Sequence, residues 1–281
     1  MTCCVPVSAN LPVGRSRDLI VIPARFGSTR LPGKPLVEIA GRTLLSRVVD
    51  IGRRAVTLAG HAELVVATDD DRIADHAAAL GCTVAMTAPT IQSGSGRAYA
   101  AAMARAIAPD IVVNLQGDAP FVAATAVAAL LGALRESAFD VATPVVQLGW
   151  PELDLLRSHK CESPASGTTV TRAADGRAMW FSKGIIPQLR DETRTTPLSP
   201  IYRHLGIYGY RIEALAQFES LPPSRYEQLE GLEQLRFLEN HIPMLTVEVA
   251  APRHPMSGVD SATDVVLAER LIAQLGDPFG A

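Results

Sequence analysis

The sequence predicts an α/β chain built on a mixed, mainly parallel sheet. Three observations predict it: short continuous apolar runs recur, helical stretches separate them, and polar clusters follow the ends of the runs. Strands alternating with helices of this length read as βαβ units with right-handed crossovers. The 281 residues are 48% apolar, 20% charged and 5% aromatic, enough chain for a large core in one or two domains.

Residues 1–17 read as a flexible tail and 18–281 as one domain. Leu19-Ile20-Val21-Ile22, ended by Pro23, suits a buried parallel strand. A helix is predicted over 43–59, with Leu44, Leu45, Val48, Val49 and Ile51 on one broad face. Leu64-Val65-Val66-Ala67 repeats the strand pattern and ends in Thr68-Asp69-Asp70. The helix expected over 71–80 starts with acids and stops at Gly81, as caps and the helix dipole favour. An Ala-rich helix over 97–108 stops at Pro109, and Ile111-Val112-Val113 is the third buried strand. From Gly149 the rhythm breaks. The stretch 150–200 carries Pro, Ser, Thr and mixed charge, with strands expected over 168–171 and 178–182. It reads as an inserted β-subdomain or dimerisation arm. A strand over 206–210, one helix over 226–240 striped by Leu229, Leu232, Leu235 and Leu238, a strand over 245–249 and a helix over 264–275 complete the chain.

Charge and composition exclude several classes. A net charge of -3 argues against a nucleic-acid binder, which needs a basic face to displace counterions. No apolar run approaches the roughly 20 residues that span a bilayer, and residues 1–18 lack the basic start and apolar stretch of a signal peptide. Cys3, Cys4, Cys82 and Cys161 form no CxxC pair, and the six histidines are scattered singly, which disfavours structural zinc. The expectation is a soluble protein of the reducing cytoplasm, with small-molecule substrates and neither nucleic acid nor membrane as partner.

Ligands of open α/β sheets bind beyond the carboxyl ends of the strands. The loop Pro23-Ala24-Arg25-Phe26-Gly27-Ser28-Thr29-Arg30-Leu31-Pro32-Gly33-Lys34-Pro35 gathers three cations, two hydroxyls and two glycines after the first strand. Such a loop can wrap polyphosphate with its N–H groups while the cations neutralise charge. It is not a P-loop: five residues separate Gly27 from Gly33-Lys34, and Pro35 stands where a magnesium-binding hydroxyl belongs. Gln116-Gly117-Asp118-Ala119-Pro120 places an acid where it can hold Mg²⁺ against phosphate, or simply cap a helix. Gln92-Ser93-Gly94-Ser95-Gly96-Arg97 reads as a loop that lets backbone approach a nucleotide. Tyr99 replaces the third glycine of a dinucleotide fingerprint. Read singly, His204 is a satisfied core or surface histidine, Tyr208 and Tyr210 are packing residues, Glu233 and Gln234 are solvated, and Asp260 caps the last helix.

Taken in order, these clusters resemble the CMP-KDO synthetase (3-deoxy-manno-octulosonate cytidylyltransferase) family of sugar-acid cytidylyltransferases. The likeness starts at Ile22-Pro23-Ala24-Arg25 and Leu31-Pro32-Gly33-Lys34-Pro35-Leu36. It continues through Val66-Ala67-Thr68-Asp69, Gln92-Ser93-Gly94, Gln116-Gly117-Asp118 and Phe181-Ser182. It is strongest in Arg203-His204-Leu205-Gly206-Ile207-Tyr208-Gly209-Tyr210-Arg211, and recurs in Leu232-Glu233-Gln234-Leu235-Arg236 and Gly258-Val259-Asp260. The resemblance implies a Rossmann-like nucleotidyltransferase fold (GT-A-like) and a magnesium-dependent reaction of CTP with a 2-keto sugar acid, as in lipopolysaccharide biosynthesis. It implies a homodimer joined partly through the arm. Arg25, Ser28, Arg30 and Lys34 would hold the triphosphate, Ser93, Arg97 and Gln116 would sit around the cytidine, and Pro23, Ala24 and Gly94 would also contact the nucleotide. Asp118 and Asp260 would bind Mg²⁺, with Lys34, Arg25 and Asp118 as the catalytic set. Lys183, His204, Tyr208, Glu233 and Gln234 would line the sugar-acid pocket.

Four departures fall inside the motifs. Gly96 stands where the family has an acid, Ala119 where it has Glu, Thr169 where it has Lys, and Lys183 where it has Arg. Arg to Lys is not conservative where a carboxylate is gripped by both arms of a guanidinium. Three alternatives follow: a paralogue that transfers CMP to a different small acid, such as another sugar acid or a phosphonate; a silent nucleotide-binding regulator; or a nucleotidyltransferase acting on sugar phosphates.

Overall fold

The computed structural model describes residues 18–27, 30–256 and 258–279; the tail expected over 1–17 lies outside them. β1 (Asp18–Ala24) leads through a 3-10 turn (Lys34–Leu36) and the small hairpin β2 (Glu38–Ile39) and β3 (Arg42–Thr43) into α1 (Leu44–Ala59). Then follow β4 (Ala62–Thr68), α2 (Asp71–Ala79), β5 (Thr83–Met86), α3 (Gly94–Met103), β6 (Ile111–Asn114), α4 (Ala124–Glu136) and β7 (Val141–Gly149). The third quarter holds α5 (Trp150–Glu162), β8 (Thr169–Arg172), β9 (Ala178–Ser182), β10 (Leu198–His204) and β11 (Tyr208–Arg211). α6 (Ile212–Ser220), α7 (Arg225–Glu230), α8 (Gln234–Glu239), β12 (Met244–Glu248) and α9 (Ala262–Leu275) close the chain.

Local chemistry sets the helix ends. The Thr43 side chain accepts from Ser46 N–H and starts α1, and Gly60 ends it in the left-handed region at φ 76°. Asp70 caps α2 and Ser93 caps α3. Because Ser93 takes the cap, α3 begins at Gly94, earlier than the apolar pattern predicts, and it ends earlier, at Met103. The single helix expected over 226–240 is instead two short helices. Gly231, at φ 63°, breaks the stripe between α7 and α8.

Among the described residues one ten-stranded sheet carries the molecule, in the order β5-β4-β1-β6-β11-β7-β10-β8-β9, with β12 paired to β7. β5, β4, β1 and β6 are parallel neighbours, whereas β11 runs antiparallel to β6 and β7. The chain steps outward from β1 to β4 and β5, then crosses back to β6. The carboxyl ends of β1 and β6 therefore flank the topological switch point. The expected α/β class with a mixed sheet is what forms. One apolar cluster joins α1 and α4 to one face, around Ile20, Ile22, Val48 and Leu131. A second joins α3, α6 and α8 to the other, around Val21, Val112, Phe218 and Phe237.

Strands β10 and β11 both pair antiparallel with β7, from Leu198↔Gly149 through His204↔Val145 to Tyr210↔Val141, with a register shift between Leu198 and Tyr202. Their other edge is shared end to end. β6 finishes at Asn114 opposite Tyr208, and β8 starts at Thr169 opposite Arg203. The residues between, His204 to Tyr208, edge a gap between β6 and β8. The stretch 150–200 opens with α5, which packs Leu153 and Leu156 against Leu148 and Ile201. Its strands β8 and β9 continue the same sheet.

Candidate active site

A cavity of about 260 Å³ opens at the switch point. Its lining brings together Pro23, Ala24, Arg25, Arg30, Lys34, Ser93, Gly94, Arg97, Gln116, Asp118 and Asp260. Every residue named from sequence for the nucleotide and metal is here except Ser28, which lies outside the described residues. The close approach of the two strand ends needs Gly117, since a Cβ there would stand 2.4 Å from the Pro23 carbonyl oxygen. The first loop closes on itself through Gly33 N–H to the Phe26 carbonyl at 3.1 Å. The Arg72 guanidinium covers the Phe26 ring at 3.3 Å.

Lys34 is the electrostatic centre. Its Nζ donates to Asp118 Oδ2 at 2.8 Å and to Asp260 Oδ1 at 3.0 Å, and Arg30 approaches Asp260 Oδ2 at 3.3 Å. Burial pulls the Lys34 pKa down, but the two carboxylates outweigh it and hold the ammonium above its ordinary value. Neither acid is a helix cap. α4 starts six residues after Asp118, at Ala124, and the capping box of α9 is made by Ser261 and Asp264. Val259 N–H donates to the Asp118 carbonyl at 2.9 Å, which ties the two acid-bearing loops together. Among the described residues no group of three or more His, Cys, Asp or Glu is placed to hold a metal. The two carboxylates already converge on one cation, however, and Mg²⁺ is commonly held by one or two carboxylates plus substrate phosphates. The donor set fits that ion.

The remaining cavity residues divide between lining and bracing. Arg25 Nη1 donates to Gln92 Oε1 at 2.9 Å across the mouth. Arg97 is 2% exposed and bonds Asp69 Oδ2 and the Ile91 carbonyl, each at 3.0 Å, and Thr87 Oγ1. It anchors the 87–92 loop under the cavity. Ser93 Oγ accepts from Gly96 N–H at 2.9 Å, so the first turn of α3 faces the site. A Cβ on Gly94 would lie 3.2 Å from Gln116 Oε1, so this glycine leaves that amide its place. The role of Asp69 as the anchor for Arg97 was not assigned from sequence, and only the tertiary fold reveals it.

Lys183, His204, Tyr208, Glu233 and Gln234 do not line the cavity; among them His204 packs on Tyr208 and Tyr208 bonds Gln234. Tyr208 Oη donates to Gln234 Oε1 at 3.0 Å, while the buried Gln234 Nε2 has no partner among the described residues. Glu233 is exposed as a residue, yet its carboxylate turns inward and accepts from Ser95 Oγ at 3.1 Å. Burial raises its pKa, and Ser95 and Arg236 offset only part of that. His204 is 8% exposed and sits 2.8 Å from Thr143 Oγ1. Thr143 gives its one proton to the Ile207 carbonyl at 2.8 Å, so it accepts from His204 Nε2–H. Burial, with the Lys183 charge behind it, pushes the His204 pKa down to about 3. His204 is thus a neutral, fixed donor. Sequence reading missed Thr143, whose place inside an apolar strand gives no signal.

The fold, with a phosphate-type loop at its switch point, defines a nucleotidyltransferase. The family model described as "Cytidylyltransferase" matches residues 19–245, and the chain belongs to that family. It is 41% identical over 261 residues to the 3-deoxy-manno-octulosonate cytidylyltransferase of Maricaulis maris, covering 92% of this chain and 98% of that one. To the enzyme of the same name from Nitratidesulfovibrio vulgaris it is 39% identical over 255 residues, covering 90% and 95%. The solved structure of CMP:2-keto-3-deoxy-manno-octonic acid synthetase complexed with CTP superposes with a TM-score of 0.78 at 35% identity, over 92% of this chain and 99% of that one. The 4-diphosphocytidyl-2C-methyl-D-erythritol synthase of Anaerococcus prevotii shares the fold at a TM-score of 0.58 and 12% identity, over 92% of this chain and 96% of that one.

Proposed function

We propose that this chain transfers CMP from CTP to 3-deoxy-manno-octulosonate (KDO), forming CMP-KDO and releasing pyrophosphate. The observation that carries the reading is the meeting of Lys34, Asp118 and Asp260 at the switch point of a cytidylyltransferase fold. Asp118 and Asp260 would hold Mg²⁺, which when bound neutralises phosphate oxygens and orients them. Lys34, Arg25 and Arg30 supply the protein's own positive charge to the triphosphate. Phosphoryl transfer needs such positioning and neutralisation more than covalent help. Gln116 and the first turn of α3 receive the cytidine, and Arg97 and Asp69 keep that turn in place. His204 is a neutral imidazole near neutral pH, its one N–H held by Thr143, so its part is to orient rather than to act as an acid.

The acceptor's identity has one competing reading, another small acid. Thr169, buried and bonded to the Gly184 carbonyl, brings no charge to its position. The enzyme is proposed to work in the cytoplasm as a homodimer. Leu155, Met179 and Leu198, large apolar side chains exposed on the 150–200 stretch, support a joining surface there.

The test is pyrophosphate release from CTP and Mg²⁺ with KDO, other sugar acids and phosphonates. Release with KDO is expected. Release with another acid alone keeps the chemistry and replaces the acceptor. Silence with CTP still bound would leave only a nucleotide-binding role.

A further inference from the structure

Positive charge gathers where β8 begins and β9 ends. Arg203 lies beside Thr169 in register, and Thr169 beside Ser182, so Lys183 follows at the same corner. Lys160 reaches this corner from the last turn of α5. Its Nζ donates to the carbonyls of Ser166 at 2.6 Å and Gly167 at 2.8 Å, and to that of Lys183. Burial and the charges of Lys183 and Arg203 hold the Lys160 pKa below its ordinary value. The neighbouring acid, Glu230, directs its two oxygens at Ser182 Oγ and the Lys183 N–H, both at 2.8 Å. Among the described residues Lys160 and Lys183 form no ion pair with a carboxylate.

The corner also bounds the gap beside the β10–β11 strand. β6 ends at Asn114 and β8 starts at Thr169 along the same edge of the β10–β11 strand, so an acceptor in the gap has Gln116 and Asp118 at one end and these cations at the other. At position 169 itself the hydroxyl donates to the Gly184 carbonyl at 2.8 Å and accepts from Ile186 N–H at 3.0 Å. The cation comes from a different element.

We propose that Lys160 is a positioning and specificity residue for the acceptor: from α5 it completes, with Lys183 and Arg203, a cationic corner that draws in the acceptor's carboxylate. This rests on the cytidylyl-transfer reading above. The Lys160 donors are occupied by carbonyls, so it acts through its charge and through its hold on the Lys183 backbone.

Two variants separate charge from bracing. Lys160→Gln keeps N–H donors for the carbonyls and removes the charge; Lys160→Arg keeps the charge. Pyrophosphate release by the full chain is measured with KDO varied at saturating CTP and the reverse, alongside calorimetric binding of KDO and the thermal midpoint of each variant. Lys160→Gln should raise the KM for KDO about tenfold and leave the KM for CTP unchanged, while Lys160→Arg stays within about threefold. The deficit should shrink as salt rises, and Thr169→Lys in the Lys160→Gln background should recover part of it. A wild-type KM for KDO in Lys160→Gln, equal impairment of both variants, or an equal rise in the KM for CTP overturns the proposal while the functional reading stands. A wild-type enzyme that neither binds nor turns over KDO or any other carboxylic acid overturns both.

Discussion

The two ends of the gap beside the β10–β11 strand are built on opposite terms. At the β6 end, short loops at strand ends carry charge into an open cavity, and their contacts are ion pairs such as Lys34 with Asp118 and Asp260. At the β8 end, polar groups are sealed among aromatic rings: His204 stands 5.1 Å from the Phe181 ring and 5.5 Å from that of Tyr208. The first end can change partners when a charged ligand arrives, because water and ligand can replace each bond. The second cannot, since a buried polar group that loses its partner keeps the full desolvation cost. Substitutions of the charged side chains at the first end should therefore remove chemistry and spare the fold. Those of the sealed groups at the second, His204 above all, should change stability and its pH dependence.

The largest effect expected is on turnover. Lys34→Ala should lower kcat/KM for CTP by on the order of 10²–10³-fold, the scale of losing a charge aimed at a developing anion. Asp118→Asn should abolish magnesium-dependent turnover with CTP still bound by calorimetry. Thermal midpoints near wild type in both would sharpen the contrast between the ends. Pyrophosphate release at the wild-type rate from either variant would break it.

Gly117→Ala tests the hinge of the open end. Its Cβ would press on the Pro23 carbonyl, a backbone atom that cannot rotate away. A stability loss of about 2–4 kcal/mol by urea unfolding is expected, with β1 and β6 forced apart and CTP binding weakened. Unchanged urea stability would mean that the strand ends separate at no cost.

How much of this was legible differs along the same line. The strands around Ile20, Val65 and Val112, and the helices that separate them, follow from apolar periodicity. The loops at 23–35, 92–97 and 116–120 are local in sequence, so their charge content reads directly as a phosphate-facing surface. What hides is long-range pairing. Thr143 meets His204, Ser95 meets Glu233 and Asp69 meets Arg97 across 61, 138 and 28 positions, and no local pattern marks such partners. The same holds for α5, whose stripe of Leu153 and Leu156 is interrupted by Pro151, Asp154 and Arg157 and reads as irregular chain. Gly231 hides for a different reason. The leucine stripe runs on through it, and only its left-handed backbone shows the break between α7 and α8.

At the closed end, His204 should make the protein labile in acid. Its folded pKa, about 3, lies far below the ordinary 6.5, so the stability it contributes is whole above 6.5 and is lost as pH falls toward 3. Within that window the loss should approach about 1.4 kcal/mol per pH unit, one proton being taken up on unfolding. Urea midpoints between pH 4 and 7 measure it, and His204→Gln should flatten the slope. An unaltered slope would move the lability to other groups.

The smallest effect expected belongs to Ser95, in the first turn of α3. Ser95→Ala removes the hydroxyl that Glu233 uses to keep its inward carboxylate charged. Burial already raises this carboxyl's pKa, and the Ser95 bond is the largest influence opposing that rise, so the variant should raise the pKa further. The bond favours the ionised form, so its contribution is present above the carboxylate range and fades as Glu233 takes up a proton. The destabilisation should be at most about 1 kcal/mol, given the exposure of the residue, visible at pH 8 and shrinking toward pH 4. That runs opposite to the trend produced by His204. A loss of stability that grew as pH fell would show that Ser95 serves the closed end through Tyr210, 3.3 Å from its hydroxyl, rather than through Glu233.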